Sequence, residues 1–201
     1  MKHLTNYNWI LGSLLGDSYI SKTYRLEVAH SIKQKEYFMH KFNLLEQSNL
    51  LATNAKPTIY HRLDKRTNNT YTKYTIKTKP YFEEYRNLFY PQPNQIKIVP
   101  SNIDQLIDNQ ALAYWYMDDG GRNSGNIKNK GMIFDVSNFV LDDQLKLQNL
   151  LTNKFLCRSS LHKRNTKYKN TKLYIHASSA KHFCDLIRPY IIPSMLYKLT
   201  I

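Results

Sequence analysis

The chain has 201 residues, 42% hydrophobic, 13% aromatic and 22% charged. That is enough for one large domain or two of about 100 residues each, and too aromatic for a disordered basic tail. Lys and Arg number 29 against 15 Asp and Glu, a formal charge of +14 that attracts polyanions and makes nucleic acid the leading partner. Two cysteines exclude a disulfide framework or a four-thiolate zinc site, and no apolar stretch reaches the roughly 18–20 residues of a membrane span.

In chain order, the first element is an apolar run over residues 7–16, of helical length and closed by Asp17. A short strand is expected within 18–22, and Tyr24–His30 alternates as a second strand. Lys35–Ser48 follows as a helix, with Tyr37, Phe38, Phe42, Leu44 and Leu45 for its buried face. Pro57–Leu63 and Tyr71–Lys79 read as paired strands around a turn at Thr67-Asn68-Asn69, and Pro80–Phe89 as a closing helix. Pro91, Pro93 and Pro100 mark 91–101 as a junction. Beyond it the succession returns. An apolar helix over 109–118 is closed by Asp119, then come a strand within 120–129 and the strand Met132–Ser137. A helix over Asp142–Lys154 opens on two carboxylates, which suit a helix N-terminus. Paired strands Arg158–Arg164 and Lys172–Ser178 flank 165–170, and Ala180–Tyr190 closes as a helix.

The spacing turns this likeness into a duplication. Phe82 and Phe183, like Lys97 and Lys198, stand 101 residues apart, and the runs Trp9–Asp17 and Ala111–Asp119 are 102 apart. These landmarks keep their order and nearly their spacing, which divides the chain into repeats 1–95 and 96–201. The expected class is α+β.

Asp17 and Asp119 hold equivalent places, each at the end of an apolar helix that already carries partial negative charge. If the two helices are buried together, the carboxylates approach and recruit a hard divalent cation. Mg²⁺ is the expected ion, with Mn²⁺ an alternative and Ca²⁺ a non-catalytic substitute. One acid per half matches one scissile phosphate per strand of a duplex. Lys97 and Lys198, at nearly the same distance along the chain from those acids, would orient water or neutralise developing charge. The seven histidines form no His-x₃-His ligand pair, and most are expected at the surface or on DNA.

Strand alternation gives the sheets a basic face. In Tyr71–Lys79, Lys73, Thr75, Lys77 and Lys79 share one face, with Tyr74, Ile76 and Thr78 on the other. In the matching strand Lys172, Tyr174, His176 and Ser178 oppose Leu173, Ile175 and Ala177. Arg62, Lys65 and Arg66 in the first half join Lys163, Arg164 and Lys167 in the second as further contacts to backbone and base edges.

The runs Ile10–Tyr19 (ILGSLLGDSY) and Leu112–Gly121 (LAYWYMDDGG) resemble the two motifs of the LAGLIDADG homing endonucleases. Leu186–Pro193 and Met195–Leu199 are similar to that family's C-terminal segment, so the resemblance spans residues 8–199. Its closest type is the monomeric, two-motif enzyme of mitochondrial introns. The resemblance implies a pseudo-two-fold pair of αββαββα units with two saddle-shaped antiparallel sheets that bind a long specific duplex site in the major groove. It implies Asp17 and Asp119 as catalytic metal ligands, with Gly16 and Asp118 in the same site and Asp118 in a supporting place. Lys97 and Lys198 match the basic residues that assist hydrolysis, one phosphodiester per strand, leaving 3′ overhangs in the service of intron mobility. Gly12, Ser13, Gly16 and Ala113 would allow close helix packing, while bulky Tyr114 and Trp115 imply large against small.

Two rivals share this surface: an RNA maturase that assists splicing of a group I intron, and a DNA-binding protein without catalysis. No membrane partner is expected. Lys outnumbers Arg 21 to 8, and Asn, Ile and Tyr are abundant; all have A/T-rich codons. That bias and the plain N-terminal stretch suit an organelle-encoded, mitochondrial product.

Overall fold

The computed structural model describes residues 7–64, 68–123, 131–163 and 171–199. In chain order the first half forms α1 (Asn8–Leu15), β1 (Tyr19–Ile20), β2 (Leu26–Ser31), α2 (Lys35–Gln47), β3 (Thr58–Asp64), β4 (Asn69–Lys77) and α3 (Glu83–Phe89). After a short helix α4 (Ile103–Leu106) come α5 (Asn109–Asp119), β5 (Gly120–Arg122), β6 (Met132–Asp135), α6 (Leu141–Asn149), β7 (Ser159–Lys163), β8 (Thr171–Ile175) and α7 (Ala177–Ile187). Two four-stranded antiparallel sheets have the orders β1-β2-β4-β3 and β5-β6-β8-β7. Each half is therefore αββαββα with the same strand order, the α+β duplication that the spacing predicts. No described helix is long and apolar enough to cross a membrane.

The chain forms two compact units, Asp17–Leu88, and Met1–Gly16 together with Phe89–Ile201. This division and the repeats 1–95 and 96–201 differ in the place of α1. That helix opens the first repeat but packs in the unit that contains the second.

Within Asp17–Leu88, β2 alternates Leu26, Val28 and His30 inward against Glu27, Ala29 and Ser31. Its pairing with β4 sets Val28 opposite Ile76 and Glu27 opposite Lys77. The buried side receives Tyr37, Phe38, Phe42 and Leu45 of α2, with Phe38 stacked on Tyr74 at 5.4 Å. β4 ends at Lys77 rather than Lys79. Past it, the Lys79 N–H bonds Leu50 O, and its ammonium donates to the carbonyl and side-chain oxygens of Asn49, both at 3.0 Å, just beyond α2. The closing helix starts at Glu83, three residues later than Pro80, because the Phe82 N–H is taken by Tyr24 O.

In the other unit the core is aromatic. Trp115 stacks on Phe134 at 4.0 Å, and Tyr116 meets Phe134 and Phe183 edge-on at 5.3 and 5.2 Å. β6 stops at Asp135, two residues early, where the carboxylate accepts the Ser137 N–H and hydroxyl in an Asx turn. β8 ends at Ile175 and α7 begins at Ala177, so Ser178 is helical and leaves the basic strand face to which its alternation assigns it.

The α1–α5 packing carries the duplication into three dimensions. Trp9 and Tyr114 lie ring to ring at 5.5 Å. Their counterparts 102 residues away, Ala111 and Gly12, meet in turn: a methyl on Gly12 would overlap the Ala111 carbonyl oxygen. Gly16 meets its own counterpart, Asp118, whose Cβ and Oδ2 a methyl there would strike. Contacts of i with j′ and of j with i′ are the mark of a two-fold interface. Gly12 and Gly16 are the small side of the large-against-small packing and Trp9 with Tyr114 the large, whereas Trp115 turns away to the sheet. At the helix starts, Asp108 Oδ1 caps α5 through the Ala111 N–H at 2.8 Å, and its Oδ2 accepts from Asn8 of α1 at 2.6 Å.

Gly12→Ala should therefore lower the unfolding free energy by about 1–3 kcal/mol, the overpacking cost. Gly121→Ala, with nothing within 4 Å of the added methyl, should stay within about 0.5 kcal/mol of the wild type. Urea unfolding of the two variants checks the contrast; equal effects would refute the close-packing account.

Candidate active site

The carboxylate-bearing ends of α1 and α5 are shaped by glycine. α1 stops at Leu15 with Gly16 as its C-terminal cap, its N–H bonding Gly12 O at 3.1 Å. Asp17 is the next residue and the first of the unit Asp17–Leu88. Its side chain is 45% exposed, and Oδ2 lies 3.6 Å from Nδ1 of His30, whose side chain is only 1% exposed. The His30 ring also lies 4.7 Å from that of Tyr37.

His30 is a buried exception to the expectation that most of the histidines lie at the surface. Its signal was in phase, since it falls on the same side of β2 as Leu26 and Val28. The registers Tyr19–Glu27 and Gly121–Ile133 place Val136 at the matching position of the second half, so the histidine has no twin there.

In the other unit, Asp118 is buried against Gly16, and Asp119 is the half-exposed last residue of α5. The motif glycine after it is required by packing, because a methyl on Gly120 would run into the Tyr116 ring and carbonyl. Asp118 adds to burial in raising the Tyr114 phenol far above its ordinary range.

Each lysine reaches the C-terminus of its own motif helix. Lys97 Nζ donates to Gly16 O at 3.0 Å. Lys198 Nζ donates to Met117 O at 2.5 Å and to Asp118 O at 3.3 Å. Gly16 and Asp118 are equivalents, so both ammonium groups meet the same place in the duplication. A cation there satisfies carbonyls that the helix cannot and offsets its negative end. Gly16, expected in the metal site, has only its carbonyl to offer, and that oxygen accepts from Lys97.

The sheet faces opposite the cores carry several of the predicted basic residues. In Asp17–Leu88, register sets Tyr60 opposite Lys73 and Arg62 opposite Tyr71, beside Thr75 and Lys77. Lys73 Nζ lies 5.5 Å from the centre of the Tyr60 ring, and Lys77 pairs with Glu27 at 3.0 Å. Lys79 stands apart, committed to Asn49. In the other unit, Tyr174 lies 5.3 Å from both the His162 and His176 rings. Ser160 Oγ links those two histidines at 2.9 and 3.0 Å. Lys172 is ion-paired with Asp135; burial would raise that carboxyl, but hydrogen bonds from Lys172 and Ser137 outweigh it and hold the pKa below its ordinary value. Lys163 ends β7, while Lys65, Arg66, Arg164 and Lys167 lie outside the described residues. The acid partners of Lys77 and Lys172 were missed by strand alternation alone.

The profile of the LAGLIDADG DNA endonuclease family matches residues 7–183. Cytochrome b mRNA maturase bI2 of Debaryomyces hansenii is 31% identical over 197 residues, covering 94% of this chain and 71% of its own. The homing endonuclease I-WcaI bound to its DNA recognition sequence aligns with a TM-score of 0.82 at 27% identity, covering 96% of this chain and 85% of that one. I-DmoI in complex with DNA and Mn shares the fold at 14% identity, with a TM-score of 0.55, covering 92% and 97%. With both motif helices packed by reciprocal contacts and a profile that spans both repeats, the chain belongs to the LAGLIDADG DNA endonuclease family.

Proposed function

We propose that this homing endonuclease hydrolyses one phosphodiester in each strand of a long duplex site, leaving 3′ overhangs, with Asp17 and Asp119 as the metal-binding carboxylates. The observation that carries this reading is the equivalence of the two helix ends: an acid on each, beside a carbonyl held by a lysine 80 or 79 residues further along the chain. The exposed or half-exposed carboxylates are hard oxygen donors of the kind that Mg²⁺ and Mn²⁺ take, and the Mn in the I-DmoI complex agrees with that chemistry. A bound divalent cation would supply Lewis-acid polarisation of the scissile phosphate.

The chain's own residues do the rest. Lys97 and Lys198 place positive charge at the helix ends, where the negative charge of a phosphoryl transition state is offset most strongly. His30 lies beside the Asp17 carboxylate at 3.6 Å, and Gly16 and Asp118 fix the spacing of α1 and α5. Arg62, Lys73 and Lys77, with Lys172, Tyr174 and His176, lie along the duplex. The Glu27–Lys77 and Asp135–Lys172 pairs set acceptors beside donors, as base-edge recognition needs.

Asp17→Asn and Asp119→Asn should each reduce double-strand cleavage by roughly a hundredfold or more, with DNA binding in Ca²⁺ retained. Plasmid cleavage beside a gel-shift measurement checks this, and unimpaired cutting by the double variant would dismiss the assignment. Binding should weaken steeply with salt, and Lys73→Ala should lower the magnitude of the log–log slope by about 1; a slope unchanged from the wild type would remove Lys73 from the phosphate contacts.

A second reading follows from the name of the Debaryomyces hansenii relative, a maturase. The same basic faces would serve an intron RNA, and a splicing assay with and without the protein separates the two tasks. That relative's cytochrome b messenger and the A/T-biased composition support an organellar, mitochondrial origin.

A further inference from the structure

The two lysines are held in place by unrelated devices. Lys97 lies in the segment that follows α3, and two residues on, at Val99, both backbone polar groups are gripped by α6. Asp143 Oδ2 accepts the Val99 N–H at 3.1 Å, while Lys146 Nζ donates to the Val99 carbonyl, also at 3.1 Å. Lys146 also donates to Asp143 Oδ1 at 2.8 Å, which closes the ring. Asp143 is only 3% exposed, so this clamp satisfies buried backbone groups that a loop would otherwise leave without partners. One residue nearer the lysine, the Ile98 N–H bonds Phe89 O at 2.8 Å. Phe139, just before α6, sets its ring 5.8 Å from the Lys97 ammonium.

Lys198 is held through a different contact. Its own carbonyl accepts the Tyr116 hydroxyl at 2.7 Å. Tyr116 is fixed between Phe134 and Phe183. Its counterpart 102 residues earlier is Leu14, which has no hydroxyl to offer, so the first half cannot hold its lysine in the same way.

We propose that Asp143 and Lys146 are positioning residues for Lys97, and Tyr116 for Lys198, so that the two strand cleavages rest on separate supports. This depends on the reading above, in which each lysine serves one strand.

The test uses the full chain, Mg²⁺ and a plasmid carrying a duplex site that the wild-type protein selects from a randomised library. Nicked and linear products are followed, and end-labelled duplex identifies the strand. Lys97→Met and Lys198→Met serve as references. Lys146→Met should slow the strand that Lys97→Met slows, and Tyr116→Phe the strand that Lys198→Met slows, each by about tenfold or more, so that nicked circles accumulate. Asp143→Asn, which keeps an acceptor for Val99, should act as Lys146→Met does.

Loss of fold would slow both strands alike, so equal slowing by Lys146→Met and by Tyr116→Phe counts against the proposal. Lysine references that are strand-selective, beside Lys146→Met and Tyr116→Phe variants that cut both strands at the wild-type rate, would overturn the supports alone. Lysine references that slow both strands alike would overturn the underlying reading, and the supports with it.

Discussion

Everything that the two halves share is registered by the crossing of α1 and α5. Side chains there are not merely apolar; they are matched in size, so that Trp9 lies on Tyr114 while Gly12 lets the Ala111 backbone approach. Close-packed interiors tolerate little change of volume, and a helix pair that interdigitates in this way has one register. The position of that register fixes where each helix stops, and hence where the residue after each stop emerges.

The stops are electrostatically unusual. A helix C-terminus carries partial negative charge, and a carboxylate adjoining it adds more. Asp17 and Asp119 both stand in this unfavourable place, and the chain answers with a lysine at each end, hydrogen-bonded to the terminal carbonyls. The arrangement is pre-organised for anions that bring cations with them, which is what a phosphate backbone does. The sheets repeat the theme more gently, since Lys77 and Lys172 face acids of their own strand neighbours. Such faces set acceptors beside donors, and so are less uniformly positive than the lysines alone would make them.

Much of this was legible in the sequence because a duplication shows twice. Offsets of 101 and 102 aligned the acids and the lysines, and alternation assigned Ile76, Leu173 and Ile175 to the cores. Element ends were less legible. β6 stops where Asp135 captures Ser137, a local hydrogen bond that competes with the strand, and α7 starts three residues early at Ala177. His30 was readable in principle, by its phase with Val28, but a histidine suggests surface chemistry before burial. The supports of the lysines were not readable at all. Asp143 and Val99 are 44 residues apart and Tyr116 and Lys198 are 82 apart, and no periodicity connects them.

The place of α1 has a consequence for how the protein is made. Its packing partner α5 follows the whole of the unit Asp17–Leu88 in the chain, so α1 leaves the ribosome well before the surface on which it packs. At about 5–20 residues per second, synthesis of the intervening stretch takes several seconds or more. During that time an apolar segment containing Trp9, Ile10, Leu11, Leu14 and Leu15 is without its partner. The unit Asp17–Leu88 is continuous in sequence, so chaperone demand in the growing chain falls on α1, whose apolar surface is the one left waiting.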